Sequence, residues 1–158
     1  MALSVIVGLG CGLAAVLLRG SIHYIQGLFA PLTASHNVLF LILPGVGMLL
    51  AMLFVRYVIR DDISHGVTKN ESKIKPHNMW SSVAASAVTI GFGGSVGAEA
   101  PIVYTGAAIG SNVGRAFGLS YKDITLLLGC GAAGAVAGIF NAPLAGVLFT
   151  LEILLFNI

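Results

Sequence analysis

Residues 91–101 have the sequence GFGGSVGAEAP, a glycine-rich break that ends on one acidic residue, Glu99, and a proline. Apolar sequence without charged residues precedes the break from residue 76, and a second apolar segment follows it from Pro101. Glycines between two apolar segments interrupt a helix, and proline fits the first turn of the next one. In membrane proteins, unwound backbone of this kind is found where it lines a site or is buried in protein. The break therefore predicts two short helices on either side of a polar site.

The composition of the whole chain is that of a membrane protein. Hydrophobic residues make up 57% of the 158 residues and charged residues only 9%, against roughly 25% charged residues in soluble domains. No Asp, Glu, Lys or Arg occurs in residues 20–55, 76–98 or 124–151. Each stretch is long enough for a helix that crosses a hydrocarbon core about 30 Å thick. We therefore predict an all-α, polytopic membrane protein in which residues 1–158 form a single membrane domain.

The apolar pattern and its breaks predict six helices, at about residues 1–29, 38–59, 79–90, 101–117, 123–139 and 143–156. A turn is expected at residues 30–36, which include Pro31, and Asn141 is a candidate N-cap of the last helix. Five of the eight basic residues lie between Arg56 and Lys75. This bias predicts that the loop, and with it the N-terminus two crossings earlier, faces the cytoplasm.

Small residues recur at helical spacing in the second half of the chain. Gly106, Gly110 and Gly114 share one helix face, and Gly134 and Gly138 share another. Small residues let helix backbones approach each other in lipid, so both faces are predicted to pack against neighbouring helices. Cys11 and Cys130 lie in apolar stretches and are interpreted as small hydrophobic residues, with no disulfide between them.

Glu99 is the candidate functional residue. Its nearest charged neighbours in the sequence are Lys75 and Arg115, so it stands alone in an apolar region, where an ionisable group is expensive and is a functional candidate by default. The start of a helix carries free N–H groups and the positive end of the helix dipole, and both attract negative charge. One site can therefore hold either the Glu99 carboxylate or a dissolved anion, and this competition would act as a gate. The alternative is a purely structural acid at the helix start.

Two blocks of sequence resemble the CLC family of chloride channels and chloride/proton exchangers. Residues 97–101, Gly-Ala-Glu-Ala-Pro, resemble its Gly-x-Glu-Gly-Pro signature, with Ala100 in place of the second glycine. Residues 129–149, which include Asn-Ala-Pro, resemble the next signature block of the family. The resemblance covers nearly the whole chain, which corresponds to the N-terminal half of the family's membrane domain.

The resemblance implies a function and a set of site residues. The chain would supply one of two inverted repeats of a multi-pass protein that transports chloride or a similar small anion across the plasma or inner cell membrane. It would not be an enzyme, would need no cofactor, and in its full-length form would be a homodimer in the lipid bilayer. Glu99 would be the gate, and the anion would be bound around Gly97, Ala98, Ala100 and Pro101.

The inner part of the site is expected in the polar loop. The family carries a serine on the central anion, and the corresponding stretch here contains Ser64, His65 and Gly66, so either His65 or Ser64 takes that position. The exchangers also carry a pair of glutamates where this chain has Glu152-Ile153. The missing second glutamate favours a passive channel or uncoupled transport, although the sequence leaves channel and exchanger open.

Two other classes of function are compatible with the same residues. A bundle of packed helices without transport would use Glu99 only as a helix-start acid. An intramembrane serine protease would use Ser95, which lies in a Gly-x-Ser-x-Gly pattern and would need a histidine as its base. The histidines lack the spacing of helical metal ligands, and the basic residues form no stripe for nucleic acid, so neither a metal nor a nucleic acid is predicted.

Overall fold

A computed structural model of the protein describes residues 2–35, 39–59 and 76–155, and within these ranges the chain is helical, without strands. The helices are α1 (Ala2–Ser35), α2 (Leu39–Phe54), which continues as a π-helical turn (Val55–Ile59), α3 (Asn78–Gly91), α4 (Glu99–Ala116), α5 (Tyr121–Phe140) and α6 (Pro143–Leu155). The all-α fold class predicted from the sequence is confirmed. The bounds of α3, α4 and α5 agree with the prediction to within two residues.

The end of α1 differs from the prediction. The expected turn at residues 30–36 is absent from residues 30–35, because α1 continues through Pro31 to Ser35. Proline is a strong helix breaker in water, but helices of membrane proteins tolerate it more readily. Pro44 likewise lies inside α2. Proline was therefore a poor stop signal in the first half of this chain.

The junction between α5 and α6 also differs in detail. Asn141 does not cap the start of α6 but ends α5 in a left-handed conformation, with φ 54° and ψ 33°. Asparagine adopts this conformation more readily than most residues, and it is common just after a helix. The residue was correctly identified as a helix boundary, but it belongs to the helix before it.

Helix α5 lies at the centre of the packing. On one face its backbone meets α4 directly, since a side chain on Gly106 would collide with the carbonyl oxygen of Gly131, and the reverse also holds. On a second face a Cβ atom on Gly138 would lie 2.9 Å from the Cβ atom of Ala15 in α1. A third contact joins α6, where a Cβ atom on Gly146 would lie 2.5 Å from the carbonyl oxygen of Ala133. Both predicted small-residue faces are therefore packing faces.

The relative directions of the helices follow from these contacts. Gly106 and Gly110 of α4 meet Gly131 and Leu127 of α5, in that order, so α4 and α5 are antiparallel. Two further glycines of α5, Gly134 and Gly138, meet α1 at progressively later positions, so α5 and α1 are parallel. It follows that α4 is antiparallel to α1.

Two helices in the described part of the chain are long and apolar enough to cross a membrane by length and composition, over Ala2–Phe29 and Tyr121–Phe140. Shorter apolar helices cover Ile42–Tyr57, Met79–Gly91 and Pro143–Glu152. Large apolar side chains on the outer faces of α1 and α2 are exposed, among them Leu9, Leu13, Met48 and Met52. An apolar exterior of this kind is the pattern expected of helices that face lipid.

Candidate anion site at the start of α4

Glycines close the end of α3 tightly. The Gly93 N–H donates to the Ile90 carbonyl at 2.9 Å, and the Gly94 N–H donates to the Thr89 carbonyl at 2.9 Å. Gly93 has φ +88°, a conformation that side chains disfavour. A Cβ atom on Gly94 would lie 2.6 Å from the Thr89 carbonyl oxygen. The helix can therefore stop abruptly here only because both residues are glycine.

Helix α4 begins without a side-chain cap. Its N-cap, Ala98, has no side chain that could accept a hydrogen bond, and the Ile102 N–H donates to the Ala98 carbonyl at 3.2 Å. Glu99 is the first residue of the helix, whereas the sequence pattern predicts it just before the helix. The N–H groups in the first turn of a helix have no partner within the helix. The start of α4 therefore combines these N–H groups with the positive end of the helix dipole.

The carboxylate of Glu99 folds back over the loop. Its Oε2 atom occupies the space that a side chain on Gly97 would need. The Glu99 side chain is exposed, and within the described part of the chain it has no ion-pair or hydrogen-bond partner. Its negative charge consequently lies beside Gly97, just before the start of α4, and pairs with no charged side chain described by the structure.

The start of α4 lies beside the middle of α1. The Sγ atom of Cys11 in α1 contacts the Gly106 carbonyl oxygen of α4 at 3.8 Å. Glu99 is about 10 Å before Gly106 along the axis of α4, at 1.5 Å per residue. In the same direction α1 runs on from Cys11 for about 36 Å to Ser35. Glu99 is therefore level with the interior of the apolar segment Ala2–Phe29 and well short of the end of α1.

The predicted site residues divide into two groups. Gly97, Ala98, Ala100 and Pro101 all lie with Glu99 at the start of α4, as a continuous segment of chain must. Ser64, His65 and Gly66 lie outside the described residues, so the inner part of the predicted site stays a prediction. Glu152 lies on α6 with its side chain exposed.

Sequence reasoning missed one feature of the site. The sequence predicts only that Gly97 lies at the anion site, whereas in the structure it faces the carboxylate of Glu99. The only signal in the sequence was the spacing of the glycine two residues before the acid. The rotamer that brings the two together could not be inferred from that spacing.

The protease alternative gains no support from the geometry. Ser95 is exposed in the loop, and its hydroxyl makes no hydrogen bond to a histidine in the described ranges. His77 lies just before the start of α3, a full helix length of about 21 Å away from the loop that holds Ser95. A nucleophilic serine needs a base within hydrogen-bond reach.

Comparisons with known proteins identify the family. A model of the voltage gated chloride channel family matches residues 47–158. The chain is 28% identical, over 97% of its length, to a ClcB-like chloride channel protein of Ralstonia nicotianae, and covers 40% of that protein. It is 27% identical, over 95% of its length, to the H(+)/Cl(-) exchange transporter ClcA of Vibrio cholerae, and covers 35% of it. It is also 27% identical, over 94% of its length, to the chloride channel protein CLC-d of Arabidopsis thaliana, and covers 23% of it.

The comparisons also set the extent of the match. The chain spans two fifths or less of the length of each of these three relatives. No solved structure matches it. The family match covers the site at the start of α4 and extends over α3 to α6. This chain is a member of the voltage gated chloride channel family.

Proposed function

We propose that this chain forms the Glu99-gated half of a pore for chloride or a similar small anion in a cell membrane, which it spans several times. The observation that carries the proposal is the position of Glu99. An uncapped helix start, level with the middle of an apolar helix, faces an acid that has no ion-pair partner in the described part of the chain. Family membership supplies the substrate of the proposal, because the three relatives are named as chloride channels or as a chloride exchanger.

The gate follows from competition for one position. The N–H groups and the dipole at the start of α4 favour one negative charge in front of the helix. When the Glu99 carboxylate occupies that position, it excludes a dissolved anion by volume and by charge. When the carboxylate moves away, the same groups can bind chloride. The Glu99 side chain thus opens and closes the path without any change in the helices.

The remainder of the pore lies in other parts of the protein. Ser64, His65 and Gly66 are proposed to contribute its inner part, with His65 or Ser64 nearest the anion. The chain spans at most 40% of the relatives discussed, and we propose that a second repeat completes the pore and that the full-length protein is a homodimer. The missing glutamate after Glu152 favours a channel or uncoupled transport over tight proton coupling.

Chloride efflux from liposomes tests this function. The chain, its Glu99→Gln variant and the Vibrio cholerae exchanger as a working control are each reconstituted, and efflux is followed with a chloride electrode. In this assay two copies of the chain take the places of the two repeats, so we expect efflux above that of protein-free liposomes. We expect faster efflux from Glu99→Gln because the neutral amide competes less well with chloride. Absence of efflux from both forms beside a working control would contradict transport by this chain alone. Equal efflux from both forms would contradict the role of Glu99.

A further inference from the structure

Gly97 holds a special position among the glycines of the loop. Gly93 is required by its positive φ, and Gly94 is required because its neighbour is the backbone of Thr89. Gly97 has neither constraint, since its φ lies outside the left-handed region and no backbone atom is among its nearest obstacles. The three atoms nearest to a side chain there all belong to the carboxylate of Glu99.

The contact involves the whole carboxylate. A Cβ atom on Gly97 would overlap with Oε2 of Glu99 and would lie 3.1 Å from the Cδ atom of Glu99 and 3.7 Å from its Oε1 atom. The carboxylate is the far end of a flexible side chain, so it can move away if the space is filled. Alanine at position 97 would therefore leave the turn intact and displace the Glu99 carboxylate.

We propose that Gly97 is a positioning residue for the gate. Because Gly97 has no side chain, it leaves a space, called here the carboxylate seat, that holds the Glu99 carboxylate when it blocks the anion. This inference rests on the proposed function, because it assigns the observed position of the carboxylate to the closed state. In that position the negative charge lies beside Gly97, next to the start of α4, where we place the bound anion. Filling the carboxylate seat with a methyl group shifts the gate towards the open state.

The position of the carboxylate is tested first. The chain is labelled with ¹³C on glutamate and glycine, reconstituted in lipid bilayers and studied by solid-state NMR. We expect a cross-peak between Gly97 Cα and Glu99 Cδ, and we expect the Glu99 Cδ resonance to shift in Gly97→Ala while that of Glu152 stays in place. A missing cross-peak, or an unmoved Glu99 resonance in Gly97→Ala, would overturn the inference.

The effect on the anion is tested by a double-mutant cycle. Chloride is titrated against gluconate, and the amide ¹⁵N shifts of Ala98 and Ala100 report binding. Gly97→Ala is expected to lower the chloride concentration at half-saturation, and the same substitution in a Glu99→Ala background is expected to have no effect. A role of Gly97 in the turn alone would change binding equally in both backgrounds. Gly45→Ala is the matched control, because a side chain there would meet nothing within 4 Å.

The two proposals fail in different ways. In one case chloride shifts the Ala98 and Ala100 amides, but Gly97→Ala changes neither the Glu99 resonance nor the chloride affinity. Gly97 then does not position the carboxylate, and the proposed function stands. If Gly97→Ala moves the Glu99 resonance but chloride does not bind at these amides in any variant, the carboxylate does rest on Gly97, but the anion site is wrong.

Discussion

A lone carboxylate at a helix start has two possible roles in this chain. It either stabilises the helix as a structural acid, or it occupies an anion site that it can leave. The uncapped start of α4 is compatible with both roles, because a first-turn acid interacts favourably with the dipole in either case. The position of Glu99 beside the middle of α1 favours the second role, since an acid at the surface would serve a structural purpose equally well.

Glu99→Gln is the first prediction at the scale of the residue. The interaction of a carboxylate with a helix start contributes about 1 kcal/mol, which corresponds to roughly fivefold in affinity. Removing the charge is therefore expected to tighten chloride binding, read from the Ala98 and Ala100 amides, by about that factor. If Glu99 is only a structural acid, Glu99→Gln instead lowers the free energy of unfolding by about 1 kcal/mol, measured by thermal unfolding in detergent, and leaves the chloride affinity unchanged.

Asn141 gives the second prediction. Its left-handed conformation, with φ 54°, disfavours residues with an ordinary side chain. Asn141→Ala is expected to lower the free energy of unfolding by about 1 kcal/mol, whereas Asn141→Gly is expected to be neutral because glycine adopts the same conformation without strain. Thermal unfolding in detergent measures both. Equal stability of the alanine and glycine variants would contradict the assigned helix end.

At the scale of the element, α4 and α5 are held together by backbone contact. A side chain on Gly110 would collide with the Leu127 carbonyl oxygen and approach the Leu128 nitrogen within 2.9 Å. These are backbone atoms of a helix, so they cannot move aside as the end of a side chain could. The tight approach also fixes the orientation of α4, and with it the position of Glu99.

Gly110→Ala is therefore expected to destabilise the protein by about 1–3 kcal/mol, the usual cost of overpacking a close contact. Thermal unfolding in detergent measures the loss. Gly12→Ala is the control, since it also adds a methyl group to a helix but meets nothing within 4 Å. If the two variants were equally stable, the contact between α4 and α5 would not contribute as described.

The helices show how far the sequence determines this fold. Glycine and proline residues lie close to the ends of α3, α4 and α5, so the bounds of these helices could be predicted from the sequence pattern. Pro31 predicted a helix end that does not occur, because α1 continues through this proline. Asn141 was assigned to the wrong helix because asparagine is common both at the start of a helix and just after the end of one. Glu99 could be identified as the candidate functional residue because no other charged residue lies near it in the sequence. Its contact with Gly97 depends on a side-chain rotamer, which a sequence pattern does not determine.

At the scale of the whole molecule, the packing directions predict which ends share a side of the membrane. The α4–α5 link at Ser120 lies at the same end of the bundle as the start of α1, because α4 runs antiparallel to α1 and α5 runs parallel to it. Met79 at the start of α3 packs against Ala107 and Ala108 of α4, well beyond the start of that helix, so the start of α3 lies towards this end too. The end of α2 joins it there, since Phe54 packs against Trp80 of α3 with ring centroids 6.4 Å apart. The loop that contains Ser95 lies towards the other end. The bias of basic residues predicts that the first end faces the cytoplasm.

Cysteine labelling tests this topology. In a background with Cys11→Ala and Cys130→Ala, a cysteine at Ser120 is expected to react with a membrane-impermeant maleimide only from the cytoplasmic side. A cysteine at Ser95 is expected to react only from the opposite side. Labelling of both positions from the same side would contradict the antiparallel arrangement of α4 across the membrane.

The most direct test of the central claim is a chloride titration of the wild-type chain in bilayers, followed through the ¹³Cδ resonance of Glu99, with the exposed Glu152 as the internal reference. The claim that chloride and the carboxylate compete at the start of α4 predicts that the Glu99 resonance shifts and saturates as chloride replaces gluconate, together with the Ala98 and Ala100 amides, while Glu152 does not move. An unchanged Glu99 resonance, or equal shifts at Glu99 and Glu152, would contradict it.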